Sequence, residues 1–172
     1  MKALIHQILV DSGVAKGKIE ALTDQLLAVM PKSGESHPPK TENGVTYIWC
    51  SRHQEYHPSD IMVPNKSKES GYANYCKPSQ RKWEWMHKHS NLLGSVCSRL
   101  YSEEKNKSAK LVWNLAQTLK NTKNAHSTFN NISVSDNIDE VVQKCISEFY
   151  TPDIISCIPE DMHKMLGLAK SK

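Results

Sequence analysis

Two short stretches constrain this chain more than any others: Cys50-Ser-Arg-His53-Gln-Glu-Tyr-His57-Pro58 and Asn74-Tyr-Cys76-Lys-Pro-Ser79. Cys50 and His53 are three apart, the spacing at which a tight backbone knuckle turns two side chains toward one point. Cys76 and Ser79 repeat that spacing. Pro78 suits the first turn of a helix, where residues i and i+3 share a face. A structural zinc ion wants four ligands in a tetrahedron, normally Cys and His. Cys50, His53 and Cys76 supply three, but Ser79 is a poor ligand. His57 is the nearest replacement, because an adjacent strand would turn its imidazole toward the metal. His87, His89 and Cys97 are the other candidates. A helix rises about 1.5 Å per residue, so His87 lies over two turns from Cys76. Two further readings stay open at this point. Water in the fourth place would resemble a catalytic zinc, with Glu55 the one acid inside the motif to serve as base. Without metal, Cys50 and Cys76 are simply small buried residues.

The rest of the chain organises around this module. Leu4, Ile5, Ile8 and Leu9 form one apolar stripe, broken at Ser12-Gly13. Ile19, Leu22, Leu26 and Val29 form a second. The period is helical, so residues 1–30 read as a helical pair with Gly13 as a left-handed cap. Pro- and Ser-rich composition makes 31–44 a linker. Val45-Thr-Tyr-Ile-Trp49 reads as a strand entering Cys50. Residues 45–103 then form the zinc-knuckle module with a long basic helix, whose apolar seam is Trp83, Met86, Ser90, Leu93, Cys97 and Leu100. Trp85 lies off that seam and reads as a surface residue. Residues 104–172 read as a C-terminal helical region. Its helices start near a Ser108 cap and an Asp136 cap, Pro152 stops the second, and Pro159 opens a last short one. The expected fold is mainly α with a small zinc-knuckle β element, an α+β arrangement.

Five cysteines, odd in number and widely spaced, argue against a disulfide framework. They point to a reducing compartment, so the expected location is cytoplasmic (host cytoplasm if viral). No apolar run approaches the ~18 residues of a membrane span. The start lacks a signal-peptide cleavage site. Between Lys66 and Lys110, ten basic residues stand against four acidic ones, while seven acids face four lysines from His126 onward. A basic centre beside an acidic end is the usual mark of a solvated helix face or a phosphate-binding surface. Lys66, Lys68, Lys77, Arg81, Lys82 and Lys88 supply the charge, and Trp85 the stacking surface for bases.

Several of these residues fall into one pattern: Cys50 and His53 in the knuckle, Pro58, Met62, Asn65-Lys-Ser-Lys68, Gly71-Tyr72, Tyr75-Cys76-Lys77 and Arg81-Lys82-Trp83. It resembles a small zinc-binding module (zinc-ribbon or treble-clef type) common in phage proteins, often beside recombination-endonuclease domains. The resemblance covers about residues 47–85. The sequence departs from it at His53, where the family has Cys, and at Ser79, where it has a ligand. The resemblance implies bound Zn2+ and a nucleic-acid-associated role, as a non-catalytic regulatory accessory protein of phage origin. Two alternatives accompany it. One is a protein-interaction factor that binds and modulates a host machine. The other is an HNH-like metal-dependent endonuclease built on His57, Asn65 and the helix after Cys76. That pattern departs at His57, which no Asp precedes, and at Gln80 in a ligand place. No Gly-rich phosphate loop or catalytic triad spacing is present, and no small-molecule substrate is evident.

Overall fold

The computed structural model describes residues 2–29 and 37–168. They fall into two compact units, Met1–His37 and Pro38–Lys172. In the first, α1 (Lys2–Asp11) and α2 (Lys16–Val29) pack on each other. Ile5 and Ile19 are buried, and the buried Thr23 hydroxyl donates to the Ile19 carbonyl. Gly13 adopts φ +74° between the helices, a conformation that glycine takes without strain. Residues 30–36, which include the first six of the expected linker 31–44, lie outside the described residues.

The second unit joins a small β module to a helical layer. Strands β1 (Lys40–Glu42), β2 (Val45–Cys50) and β3 (Glu55–Pro58) form an antiparallel sheet in the order β1-β2-β3. Strand β1 corrects the linker reading of 31–44. Its cause is readable: Asn43 and Gly44 both have positive φ and link Glu42 to Val45 in a two-residue hairpin. A 3-10 turn over Ser59–Ile61 leads to β4 (Met62–Pro64), which pairs antiparallel with β5 (Tyr72–Cys76). Ile48, Cys50, Met62 and Cys76 make the buried centre of this module.

Helix α3 (Lys77–Ser102) starts directly after Cys76 and has Pro78 in its first turn. Chain reversal at Glu103–Lys105 leads into α4 (Asn106–Thr122), a few residues before the expected Ser108 cap. A 3-10 turn over His126–Phe129 precedes α5 (Ile138–Phe149), α6 (Pro152–Cys157) and α7 (Glu160–His163). α3 packs against α4 and α5, and α4 against α6. The core they share includes Met86, Leu93, Val96, Leu100, Val112, Leu119, Val141 and Leu166. The cap of α5 is Asn137, one residue after the expected Asp136. Its side chain accepts from the Asp139 and Glu140 N–H groups, and Glu140 accepts from the Asn137 N–H. Asp136 instead pairs with Lys144. The architecture is mainly α with a small β element, and among the described residues no helix is long and apolar enough to cross a membrane.

The buried face of α3 differs from the predicted seam. Lys82, Trp85, Met86, His89, Leu93, Val96, Cys97 and Leu100 point inward, a three-and-four repeat rotated away from Trp83 and Ser90. Two polar residues occupy that face, so counting apolar residues cannot find it. Each is satisfied. Lys82 Nζ donates to Glu148 Oε2 at 2.6 Å and Asn131 Oδ1 at 2.7 Å. His89 Nδ1 lies 2.8 Å from the Tyr150 hydroxyl.

Candidate metal centre

The four candidate ligands come from three backbone sources. Cys50 ends β2, and the turn that follows is closed by the Gln54 N–H donating to the Cys50 carbonyl at 2.7 Å. That turn carries His53. His57 sits on β3 opposite Ile48. Directly opposed residues of an antiparallel pair share a face, and residues i and i+2 of a strand do too. His57 therefore stands on the same face as Ile48 and Cys50. Cys76 ends β5 and is the N-cap of α3, with no side-chain cap bond of its own. The Ser51 N–H and hydroxyl both donate to the Asn74 carbonyl, binding the knuckle to β5.

The ligand atoms of Cys50, His53, His57 and Cys76 all lie within 4.8 Å of one another. His53 Nδ1 is central to them. It is 3.1 Å from His57 Nε2, 3.4 Å from Cys76 Sγ and 3.7 Å from Cys50 Sγ. Cys50, Cys76 and His57 are buried and His53 is half-buried. The group could hold a metal ion. No family model, curated protein or solved structure matches the chain. The chemistry of the site is therefore read from its own donors.

The two sulfurs behave as a pair. The Cys50 thiol is pulled down to about 3, chiefly by its hydrogen bond with Cys76. The same bond and burial push Cys76 up. One thiolate, that of Cys50, is thus easily formed, while Cys76 stands at the N-terminus of α3, the helix end where negative charge is favoured. A bound cation is the natural replacement for the proton the pair retains. Ser79 is not a ligand in this cluster. It is fully buried, its hydroxyl 3.3 Å from Cys76 Sγ and 2.9 Å from the Cys76 carbonyl, so it packs and hydrogen-bonds beside a ligand instead. His87, His89 and Cys97 lie outside the cluster. Glu55, on the same face of β3 as His57, has a carboxylate 3.6 Å from His57 Nε2 and is well exposed.

Arg52, a residue sequence reading passed over, ties the knuckle to the helical layer. Its guanidinium lies 4.4 Å from the Tyr75 ring and 5.2 Å from the Phe129 ring. Its carbonyl accepts from His126 Nδ1 at 2.7 Å. Burial lowers the Arg52 pKa, and the neighbouring Tyr75 and two cysteines oppose that shift. No spacing rule signals such a contact, because its partners lie far away in sequence.

The expected nucleic-acid residues divide. Lys66, Lys68, Lys77 and Lys88 are exposed and Arg81 is half-buried. Lys77 also donates to the Asp60 carbonyl at 2.6 Å. Lys82 and Trp85 are corrections: both are core residues. Lys82 is fully buried in its pair with Glu148. Trp85 is 5% exposed, stacked on His89 at 3.9 Å and edge-on to Tyr150, so neither reaches a ligand at the surface. Trp83, two residues away, is half-buried, with its indole N–H donating to Asn124 Oδ1 at 2.9 Å.

Proposed function

We propose that the chain is a zinc-stabilised, non-catalytic accessory protein that binds nucleic acid. The observation carrying the metal half is the spacing of the four donors. In a tetrahedron with Zn–S near 2.3 Å and Zn–N near 2.0–2.1 Å, the N···N edge is about 3.4 Å and the S···N edges about 3.6 Å. The S···N distances of 3.4 and 3.7 Å lie on either side of their edge, and the N···N distance of 3.1 Å is about 0.3 Å shorter than its edge. Two thiolates and two imidazoles are a zinc donor set. Four protein ligands fill a tetrahedral zinc and leave no open position for water. That supports a structural role and weighs against the endonuclease reading, which needs one.

The nucleic-acid half is supported by Lys66, Lys68, Lys77, Arg81 and Lys88, none of which has an ion-pair partner among the described residues. Such cations attract phosphate with strong salt dependence. The resemblance to phage zinc modules points the same way and extends the reading to a phage regulator. A second reading, docking on a host protein, is favoured by the exposed Leu111 and Trp113 of α4.

Two measurements test the proposal. Elemental analysis of protein purified without added metal is expected to return near-stoichiometric zinc. A low-salt band shift with DNA or RNA is expected to be lost in the Lys66→Glu, Lys68→Glu double variant. Zinc far below stoichiometry removes the metal half, and an unchanged shift removes the assigned surface.

A further inference from the structure

Away from the metal cluster, α3, α5 and the residues after α7 enclose a cavity of about 510 Å³. Its apolar lining includes the buried Trp85 and Leu166 and the half-buried Val142. Arg81, Lys88 and Lys164 also line it, and Lys88 and Lys164 are exposed. Two separate parts of the chain, α3 and the residues after α7, thus bring three cations to one concave site. Among the described residues none of the three has an ion-pair partner. Arg81 Nε is buried without a hydrogen-bond partner. The one carboxylate lining the cavity, Glu84, accepts from Gln80 Nε2 at 2.7 Å. Cations gathered in one concave site focus a positive potential that a bound anion answers.

The size and lining narrow the anion. The volume lies within the range of small-ligand sites, roughly 300–1,000 Å³, and far exceeds the need of a halide. An arginine fork with two lysines matches the several charged oxygens of a phosphate, while the apolar wall needs something attached to that phosphate. Trp85 is 5% exposed and stacked by His89 at 3.9 Å and Phe149 at 5.9 Å, so the attached group packs against edges and aliphatic side chains. We propose that this cavity binds a phosphate ester bearing a ring-sized group: a nucleotide, free or within a strand. In its strand form the proposal rests on the nucleic-acid reading above; in its free form it stands without it. It adds Lys164, which lies in the acidic part of the sequence and carries no local signal.

The test titrates AMP and, separately, a short 5′-phosphorylated oligothymidylate into the full chain by calorimetry at low salt. Lys164→Ala is the main variant, because that side chain is exposed and makes no ion pair. Arg81→Ala and the Lys66→Ala, Lys68→Ala pair accompany it. Loss of one charge-assisted contact is expected to weaken binding about tenfold. AMP binding that falls about tenfold in Lys164→Ala but not in the Lys66, Lys68 pair identifies a free nucleotide. Binding of the strand alone, weakened about tenfold by Lys164→Ala, identifies a nucleotide within a strand. Strand binding unchanged by Lys164→Ala and Arg81→Ala, with no AMP binding, overturns the cavity proposal and leaves the nucleic-acid reading standing. Neither probe binding the unaltered chain overturns the cavity proposal together with its strand form.

Discussion

The β module and the helical layer of the second unit are stabilised in different ways. The helical layer buries a continuous apolar core drawn from α3, α4, α5 and the segments after them. The β module has four buried residues at its centre, and two of these are the cysteines of the cluster. Ile48 and Met62 are the other two, worth about 1.5–3 kcal/mol each when fully buried, and the half-buried Tyr72, Tyr75 and Val134 pack against them. Ordering each residue of the module costs roughly 1–2 kcal/mol in backbone entropy. So small a centre gives five short strands far less burial than the helical layer has. The helical layer is the kind of structure that burial can hold together, whereas the β module needs a cross-link, and the four converging ligands are placed to provide one.

Removing the proposed zinc is expected to break this comparison most severely. Structural zinc in small domains supplies binding free energy on the order of 10 kcal/mol. Chelation, or Cys76→Ser, is expected to abolish hydrogen-exchange protection in β2, β3 and β5 while α3 and α4 keep theirs. Protection that survives in those strands without metal would place the module's stability in its own packing. His57→Ala is expected to have the same regional effect, whereas Ser79→Ala should leave metal content unchanged.

The helical layer has its own polar centre, and the next effect lies there. Lys82, Asn131 and Glu148 form a closed triangle: Lys82 donates to both partners, and Asn131 Nδ2 donates to Glu148 Oε2 at 2.7 Å. Removing one member of a buried charge pair typically costs about 3–5 kcal/mol, whereas an apolar replacement of the buried charge is often near neutral. Glu148→Ala strands the fully buried ammonium and is expected to cost about 3–4 kcal/mol in urea unfolding. Lys82→Met should cost less than about 1 kcal/mol, because Glu148 is partly exposed and can be hydrated. Equal losses in the two variants would show that the pair, not the stranded charge, sets the cost.

His89 gives the helical layer a pH dependence. Burial, aided by the charge of Lys88, lowers its pKa from 6.5 to about 4. Between those values the unfolded chain binds the extra proton and the folded chain does not. Stability is therefore fully present above pH 6.5, falls with the pH, and has lost this contribution once the pH passes below 4. The span corresponds to roughly 3 kcal/mol. Urea midpoints of the unaltered chain and His89→Gln, compared from pH 7 to pH 4, isolate the effect from carboxylates and metal ligands. Parallel curves would exclude it.

Legibility from sequence follows the same division. The knuckle spacing of Cys50 and His53, the place of Cys76 before Pro78, and the mainly α architecture were all readable, because each depends on local pattern. His57 was readable only as the nearest of several candidates; choosing it required the β2–β3 register that opposes it to Ile48. The inward face of α3 was misread because Lys82 and His89 occupy it, and their partners Glu148, Asn131 and Tyr150 lie far along the chain. For that reason Trp85, read as a surface residue, is core, and Trp83, read as part of the seam, is half-buried. Strand β1 was missed although Asn43-Gly44 marks its hairpin, since the Pro- and Ser-rich stretch before it dominated the composition.

The smallest effect separates the two ways of starting a helix. α3 begins at Cys76, whose side chain belongs to the ligand cluster and makes no cap bond. α5 begins at Asn137, which caps two N–H groups in a reciprocal box with Glu140. Replacing an Asn cap by Ala typically costs about 1 kcal/mol, and by Gly only a few tenths. Asn137→Ala is therefore expected to lower stability by about 1 kcal/mol, and Asn137→Gly by much less. Neither should alter bound metal, because Asn137 is outside the cluster. A loss of metal in Asn137→Ala would mean that the start of α5 helps hold the β module in place, through Val134, which packs against the module's centre. Unchanged metal with the expected loss in unfolding free energy would confine the cap to the helical layer.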